Sequence, residues 1–229
     1  MKRINTYINE RLHITTNSHL HRYTCQPKTT DELQKIIIQR IKDDGSECDL
    51  NDIDVSKIKN MESLFEDSEF NGDISKWNVS NVIDMKKMFA NSKFNGDISK
   101  WDVHNVKNMS QMFTEALFNN DIGDWDVSNV ETMAGMFENN YHFNKPIGKW
   151  NTKSLKHTYC MFRLTVFDQD ISDWNVSNIT VSRSMFADSM FSKNLEKWNM
   201  KSIKDWSMAR NMFFNCKAET PSWFFTLNK

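Results

Sequence analysis

The chain is short of most features that write a function directly into a sequence. It has four cysteines, and Cys25, Cys48, Cys160 and Cys216 form no C-x-x-C pair. That excludes a disulfide framework and a four-thiolate zinc site and leaves reduced thiols as the expectation. Glycine is scarce, with six residues, and no Gly-rich phosphate loop occurs. Charge of one sign is missing too: 29 basic and 30 acidic side chains leave a net charge of −1 and are interspersed along the length. A dedicated nucleic-acid or anionic-membrane surface is therefore not expected. No apolar run approaches the ~20 residues of a membrane span, so membrane insertion is not expected either. The opening residues Met1 to Arg11 are basic but lack the apolar stretch of a signal peptide. No carboxylate pair stands apart from the recurring pattern, so the expectation is no enzyme and no cofactor.

What is present is one motif, repeated. Trp77, Trp101, Trp125, Trp150, Trp174 and Trp198 are spaced by 24 residues, with a single interval of 25. A Phe precedes each by seven, at 70, 94, 118, 143, 167 and 191. An aliphatic residue lies three before the Trp and another two after it, as in Ile74, Trp77 and Val79, an L-x-x-L-x-L strand signature. Val82, Met85, Met88 and Phe89 then recur at spacings of three and four behind the capping pair Ser80-Asn81, which predicts a short helix or 3₁₀ turn. The fold class that follows is an α/β repeat: a leucine-rich-repeat-like solenoid of about seven ~24-residue units, each one short strand plus one short helix or 3₁₀ turn, capped at both ends.

Four regions result. Residues 1–28 form a polar N-terminal arm closed by Pro27. Residues 29–47 carry a capping helix, begun by Thr29-Thr30-Asp31-Glu32, striped with Leu33, Ile36, Ile37 and Ile41, and stopped near Asp44-Gly45. Residues 48–214 form the solenoid, and 215–229, with Pro221, Trp223, Phe224 and Phe225, an atypical terminal cap.

The string Phe-Asn-x-Asp-Ile-x-x-Trp-(Asn/Asp)-Val-Ser-Asn-Val-x-x-Met-x-x-Met-Phe, carried by residues 70–89 and 118–137, resembles the BspA-type leucine-rich-repeat family over roughly residues 48–214. These are surface proteins of bacteria and parts of adhesins. The resemblance implies a curved right-handed solenoid that binds other macromolecules, with no catalytic residues to carry over. The arm around Tyr7-Ile8-Asn9-Glu10-Arg11-Leu12 is similar to short versions encoded by large phages of gut bacteria, which implies a virion-associated or intracellular role.

If the strand is centred on Trp-x-Val, the flanking side chains point outward. The expected binding face is then Lys76 and Asn78; Lys100, Asp102 and His104; Asp124 and Asp126; Lys149 and Asn151; Asp173 and Asn175; Lys197 and Asn199. The column after each Trp is always Asn or Asp, consistent with a structural hydrogen-bonding role. The column before it mixes Lys and Asp and is the better recognition surface. Asp73, Asp97, Asp121 and Asp170 share one repeat position, where a calcium ladder competes with simple turn closure. Turn closure is expected, because Pro146 and Asn194 interrupt the column. His13, His19, His21 and Cys25 are the zinc-donor candidates, but their spacing matches no standard module and no metal is expected. His157 and Cys160 stand three apart, and Cys160 precedes the core pair Met161-Phe162, which favours packing over a reactive thiol.

Together these residues predict a non-enzymatic module that recognises another macromolecule, most simply a protein and alternatively a glycan, through the strand face. The alternative is a structural or assembly component, phage- or adhesin-like, attached through the arm. The expected location is the cytoplasm or a virion, or the cell surface given a non-classical export route.

Overall fold

The computed structural model describes residues 23–227. Helix α1, Thr30–Asp44, starts where local chemistry dictates. The Thr29 hydroxyl accepts the Glu32 N–H at 3.2 Å, and the Glu32 carboxylate accepts the Lys28 N–H at 2.7 Å. This reciprocal cap satisfies two otherwise orphaned donors. The helix ends at Gly45, whose φ of 89° suits a residue without a β-carbon. Leu33 and Ile37 are buried against the first unit. Arg40 ties the helix down, pairing with Asp52 at 3.0 Å and donating to the Asp49 carbonyl at 2.9 Å. No helix among the described residues is long and apolar enough to cross a membrane.

Beyond α1 the chain is a stack of units in parallel register. Single-residue parallel bridges join Asn60 to Asp84, Asp84 to Asn108, Asn108 to Thr132, Thr132 to His157 and His157 to Val181. These bridges do not fall on Trp-x-Val, where the strand was expected. Each Trp backbone N–H instead folds back on the aliphatic carbonyl three residues earlier, as Trp77 does on Ile74 at 3.1 Å. The Asp73 carboxylate accepts the Ser75 N–H and the Asn78 amide oxygen accepts that of Ser80. Side chains that bond two residues ahead turn the backbone locally and compete with an extended strand. The in-out alternation survives: Trp77 and Val79 are buried, Lys76 and Asn78 exposed.

The helix or 3₁₀ turn expected after Val82 is also absent. Residues 85–91 make overlapping turns, with Met88 N–H on Met85 and Ala90 N–H on Lys87. Left-handed residues interrupt the run, Lys87 at φ 56° and Asn91 at φ 50°, and every unit repeats this pair of positions. The reversals turn alternate N–H groups out of the unit. Met61, Ser63, Phe65 and Asp67 therefore donate to the carbonyls of Asp84, Lys86, Met88 and Ala90 in the next unit. Neighbour bonding has replaced the i→i−4 bonds of a helix. The observed 3₁₀ segments are Trp206–Met208 and Ser222–Thr226, near the end of the chain.

The core is a set of aromatic columns. Phe65, Phe89, Phe113, Phe137, Phe162, Phe186 and Phe213 stack at centroid separations of 5.5 to 5.8 Å. A second column, Phe70 to Phe191, stacks at 6.1 to 6.3 Å. Buried Met61, Met85, Met109 and Met133 fill the space between units. Leu33 and Ile37 close one end of this core, and Phe224, edge-on to Phe213 at 5.3 Å, closes the other.

Candidate functional site

The structure divides the expected binding face into two columns with different work. The column after the Trp is occupied by its own backbone. Asn78, Asp102, Asp126, Asn151 and Asn175 each accept the N–H two residues on, at 3.0 to 3.3 Å. Asn199 makes no corresponding bond among the described residues. His104 joins this set, since its Nδ1 lies 2.6 Å from the Asp102 carboxylate. The Asp126 carboxyl is held below its usual range by the Ser128 hydroxyl and then the Ser128 N–H.

The column before the Trp is different. Lys197 and Asp173 pair with each other at 3.1 Å, both largely exposed. Lys76, Lys100, Asp124 and Lys149 are exposed and enter no ion pair within the described residues. Two adjoining shallow depressions of about 300 Å³ each run along this edge. They share Asp121, Gly123 and Asp124; one adds Asp97 and Lys100, the other Pro146, Lys149 and Asp170. Their floor needs glycine: a β-carbon on Gly123 would lie 2.5 Å from the Pro146 carbonyl oxygen, and one on Gly148 2.4 Å from that of Asp170.

The Asp column lining the floor closes turns. Asp73, Asp97, Asp121 and Asp170 each accept an N–H two residues ahead, at 2.8 to 2.9 Å. The Asp97 and Asp170 carboxyls sit below the usual carboxylate range, first because of the backbone N–H of Ser99 and Ser172 and then because of those residues' hydroxyls. Among the described residues this edge thus keeps a short row of charges without ion pairs, Lys76, Lys100, Asp124 and Lys149, beside the turn-bound acids.

The remaining candidates do not come together. His13, His19 and His21 lie outside the described residues, and Cys25 is half-buried with its backbone bridged to Ile53. Among the described residues no group of three or more His, Cys, Asp or Glu side chains converges. Cys160 is buried, and burial is the largest influence raising its thiol pKa, whereas the His157 side chain is exposed.

Sequence reasoning missed three ladders. Each indole N–H donates to the aliphatic carbonyl of the preceding unit, from Trp77 on Leu50 at 2.9 Å to Trp198 on Ile171 at 3.2 Å. The series continues with Trp223 on Leu195 at 2.8 Å, inside the segment expected to be only a cap. Its signal was the interval of 25 from Trp198, the same as between Trp125 and Trp150. Asn81, Asn105, Asn129 and Asn178 donate their side-chain amides to the previous unit at 2.7 to 2.9 Å. Asn71, Asn95, Asn119 and Asn144 accept the N–H of the next unit at 2.7 to 3.1 Å.

The family described as "Mycoplasma protein of unknown function, DUF285" matches this chain twice, over residues 37–122 and 116–223. The chain belongs to this family. The two DUF285 matches run from within α1 to Trp223 and so span the indole ladder. Membership bears out the resemblance to BspA-like proteins at the level of a repeat family. No curated protein and no solved structure matches the chain significantly.

Proposed function

We propose that the stack is a BspA-type, leucine-rich-repeat-like solenoid working as a non-enzymatic binding module that recognises a protein through the edge bearing Lys76, Lys100, Asp124 and Lys149. The observation that carries this reading is the contrast between the two columns flanking the tryptophans: one is consumed by turn bonds, while these four charges stay exposed and unpaired beside two joined depressions. Charges at the rim of an interface set partner choice and association rate more than affinity, so a mixed row of three cations and one acid suits a protein of complementary pattern. The stack supplies the rigid backing that loops lack.

The test reverses the four charges together, K76E, K100E, D124K and K149E, in the full chain. Affinity capture and mass spectrometry with the unaltered chain identify a bound protein, whose association is then measured with the variant. A loss of at least about tenfold is expected, with an unchanged thermal melt. Undiminished binding by a folded variant overturns the assignment of this edge.

A further inference from the structure

One backbone donor on the charged edge lacks the partner that its counterparts have. Four residues before the Trp position, which Ile53 fills in the first unit, a side chain accepts the N–H two residues on. Asp49 does so for Asn51, Asp73 for Ser75, Asp97 for Ser99, Asp121 for Gly123, Asp170 for Ser172 and Asn194 for Glu196, at 2.8 to 2.9 Å. In the unit of Trp150 that place holds Pro146, whose ring closes on its own nitrogen and carries no acceptor. The turn itself is kept, since the Trp150 N–H bonds the Ile147 carbonyl at 3.2 Å as that of Trp125 bonds Ile122. The Gly148 N–H is thus presented like its counterparts, and it has no acceptor among the described residues. Gly148 is half-buried and lines a depression of about 300 Å³ together with exposed Pro146 and Lys149. The floor is also bare of side chains at this point: Gly123 and Gly148 stand where other units carry Ser75, Ser99, Ser172 and Glu196.

The surroundings select the group that completes this turn. Asp121 stands one unit before and Asp170 one unit after, each with one oxygen spent on its own turn. With Asp124 they set three carboxylates against the single ammonium of Lys149. A further carboxylate there meets like charge, whereas a carbonyl that also carries N–H groups meets acceptors on both sides. The chain seats such a group itself. In the unit after Asp170, Asn194 puts its amide oxygen on the Glu196 N–H at 2.8 Å. We propose that the Pro146 depression takes the primary carboxamide of a glutamine or asparagine side chain of the protein partner, its oxygen accepting the Gly148 N–H and its two N–H groups donating to Asp121 and Asp170. The proposal rests on the reading of this edge as protein-binding and adds which side chain the edge selects. Neutral hydrogen bonds of this kind exchange for bonds to water, so they decide partner choice more than affinity.

The test uses the nitrogen-15-labelled full chain and needs no identified partner. N-acetyl-glutamine methylamide, titrated to about 100 mM to cover the weak range of so small a ligand, should shift the Gly148 amide signal along a saturating curve. The glutamate counterpart at neutral pH should bind at least about tenfold more weakly. Pro146→Asp supplies the acceptor that other units have and should abolish the response with the remaining amide signals in place. Pro146→Ala supplies none and should keep it. A Gly148 signal that does not respond, an equal response to the glutamate probe, or a response that Pro146→Asp leaves intact would each overturn the assignment. A tighter response to N-acetylglucosamine, whose acetamido group brings one N–H instead of two, would overturn it in favour of a glycan. Because no partner enters this titration, its failure leaves the four-charge test of the edge standing, and failure of that test leaves this titration to be read by itself.

Discussion

Between Met61 and Asp67, and in the matching run of each later unit, neighbours are joined by a continuous backbone ladder, with surface side-chain pairs such as Lys86–Glu62 and Asn91–Asp67 beside it; around the tryptophans they are joined chiefly by side chains, indole on carbonyl and amide on carbonyl. The difference shows in what each half tolerates. Where the indole makes the bond its type recurs, and that ladder runs from Trp77 to Trp223 unbroken, while the amide ladder has Ser154 within it and passes to the Ser202 hydroxyl. Where the backbone makes it, one left-handed position holds Ser63, Lys87, Gln111, Gly135, Cys160, Ser184 and Asn211 in turn. The recurring Trp thus carries an inter-unit bond as well as a place in the core, whereas the recurring Phe columns carry packing alone.

The largest way to break this comparison is one substitution in each half. Trp125→Ala removes a buried indole and, with it, one of the two bonds on the Ile98 carbonyl, which accepts the indole N–H at 3.0 Å and the Trp101 N–H at 3.1 Å. A loss of about 3–5 kcal/mol is expected from the urea midpoint. Gln111→Ala keeps the N–H bond to the Ala134 carbonyl at 2.8 Å and should stay within about 0.5 kcal/mol. Equal costs would remove the distinction. Next comes Gly148→Ala, where the new methyl meets backbone 2.4 Å away that cannot yield as a side chain would. A destabilisation of roughly 1–3 kcal/mol is expected in the same measurement.

The legible part of the molecule follows the same division. The Trp and Phe columns were readable because their spacing has no other cheap explanation, and the exposure of Lys76, Lys100, Asp124 and Lys149 follows from alternation about the Trp. The turn run was not readable. Val82, Met85, Met88 and Phe89 sit at spacings of three and four, which overlapping turns and a helix produce equally. The residues that decide between them, Lys87 and Asn91, adopt positive φ, and Lys87 gives no glycine-like signal of it. Nor could composition show which Asn and Asp side chains would be consumed by turns, since Asn78 and Asn81 differ in role and not in type.

Acid sharpens the contrast from the side-chain half. Asp97, Asp126 and Asp170 titrate below their ordinary range because turn N–H and hydroxyl groups bond the ionised form. A depressed folded-state pKa contributes stability that is complete above the unfolded value of about 3.9 and is lost as pH falls through the folded one. The thermal midpoint should therefore hold from about pH 7 to about pH 5 and drop below about pH 4. The triple variant D97N, D126N and D170N should flatten that drop, and an unchanged profile would place the acid-sensitive groups elsewhere.

The smallest effect belongs to the backbone half and has the opposite sign. Ser184 holds φ at 55°, where a β-carbon crowds its own peptide at about 1–2 kcal/mol. Glycine removes that crowding but loses about 0.5–1 kcal/mol of unfolded-state restriction. Ser184→Gly should therefore raise stability by about 0.5–1 kcal/mol, read as a higher urea midpoint at unchanged slope. Its N–H bond to the Arg210 carbonyl, at 3.0 Å, does not depend on the side chain and survives the change. A loss on this substitution would mean that the hydroxyl, not the backbone, holds the turn, and the division between the two halves would fail at its weakest point.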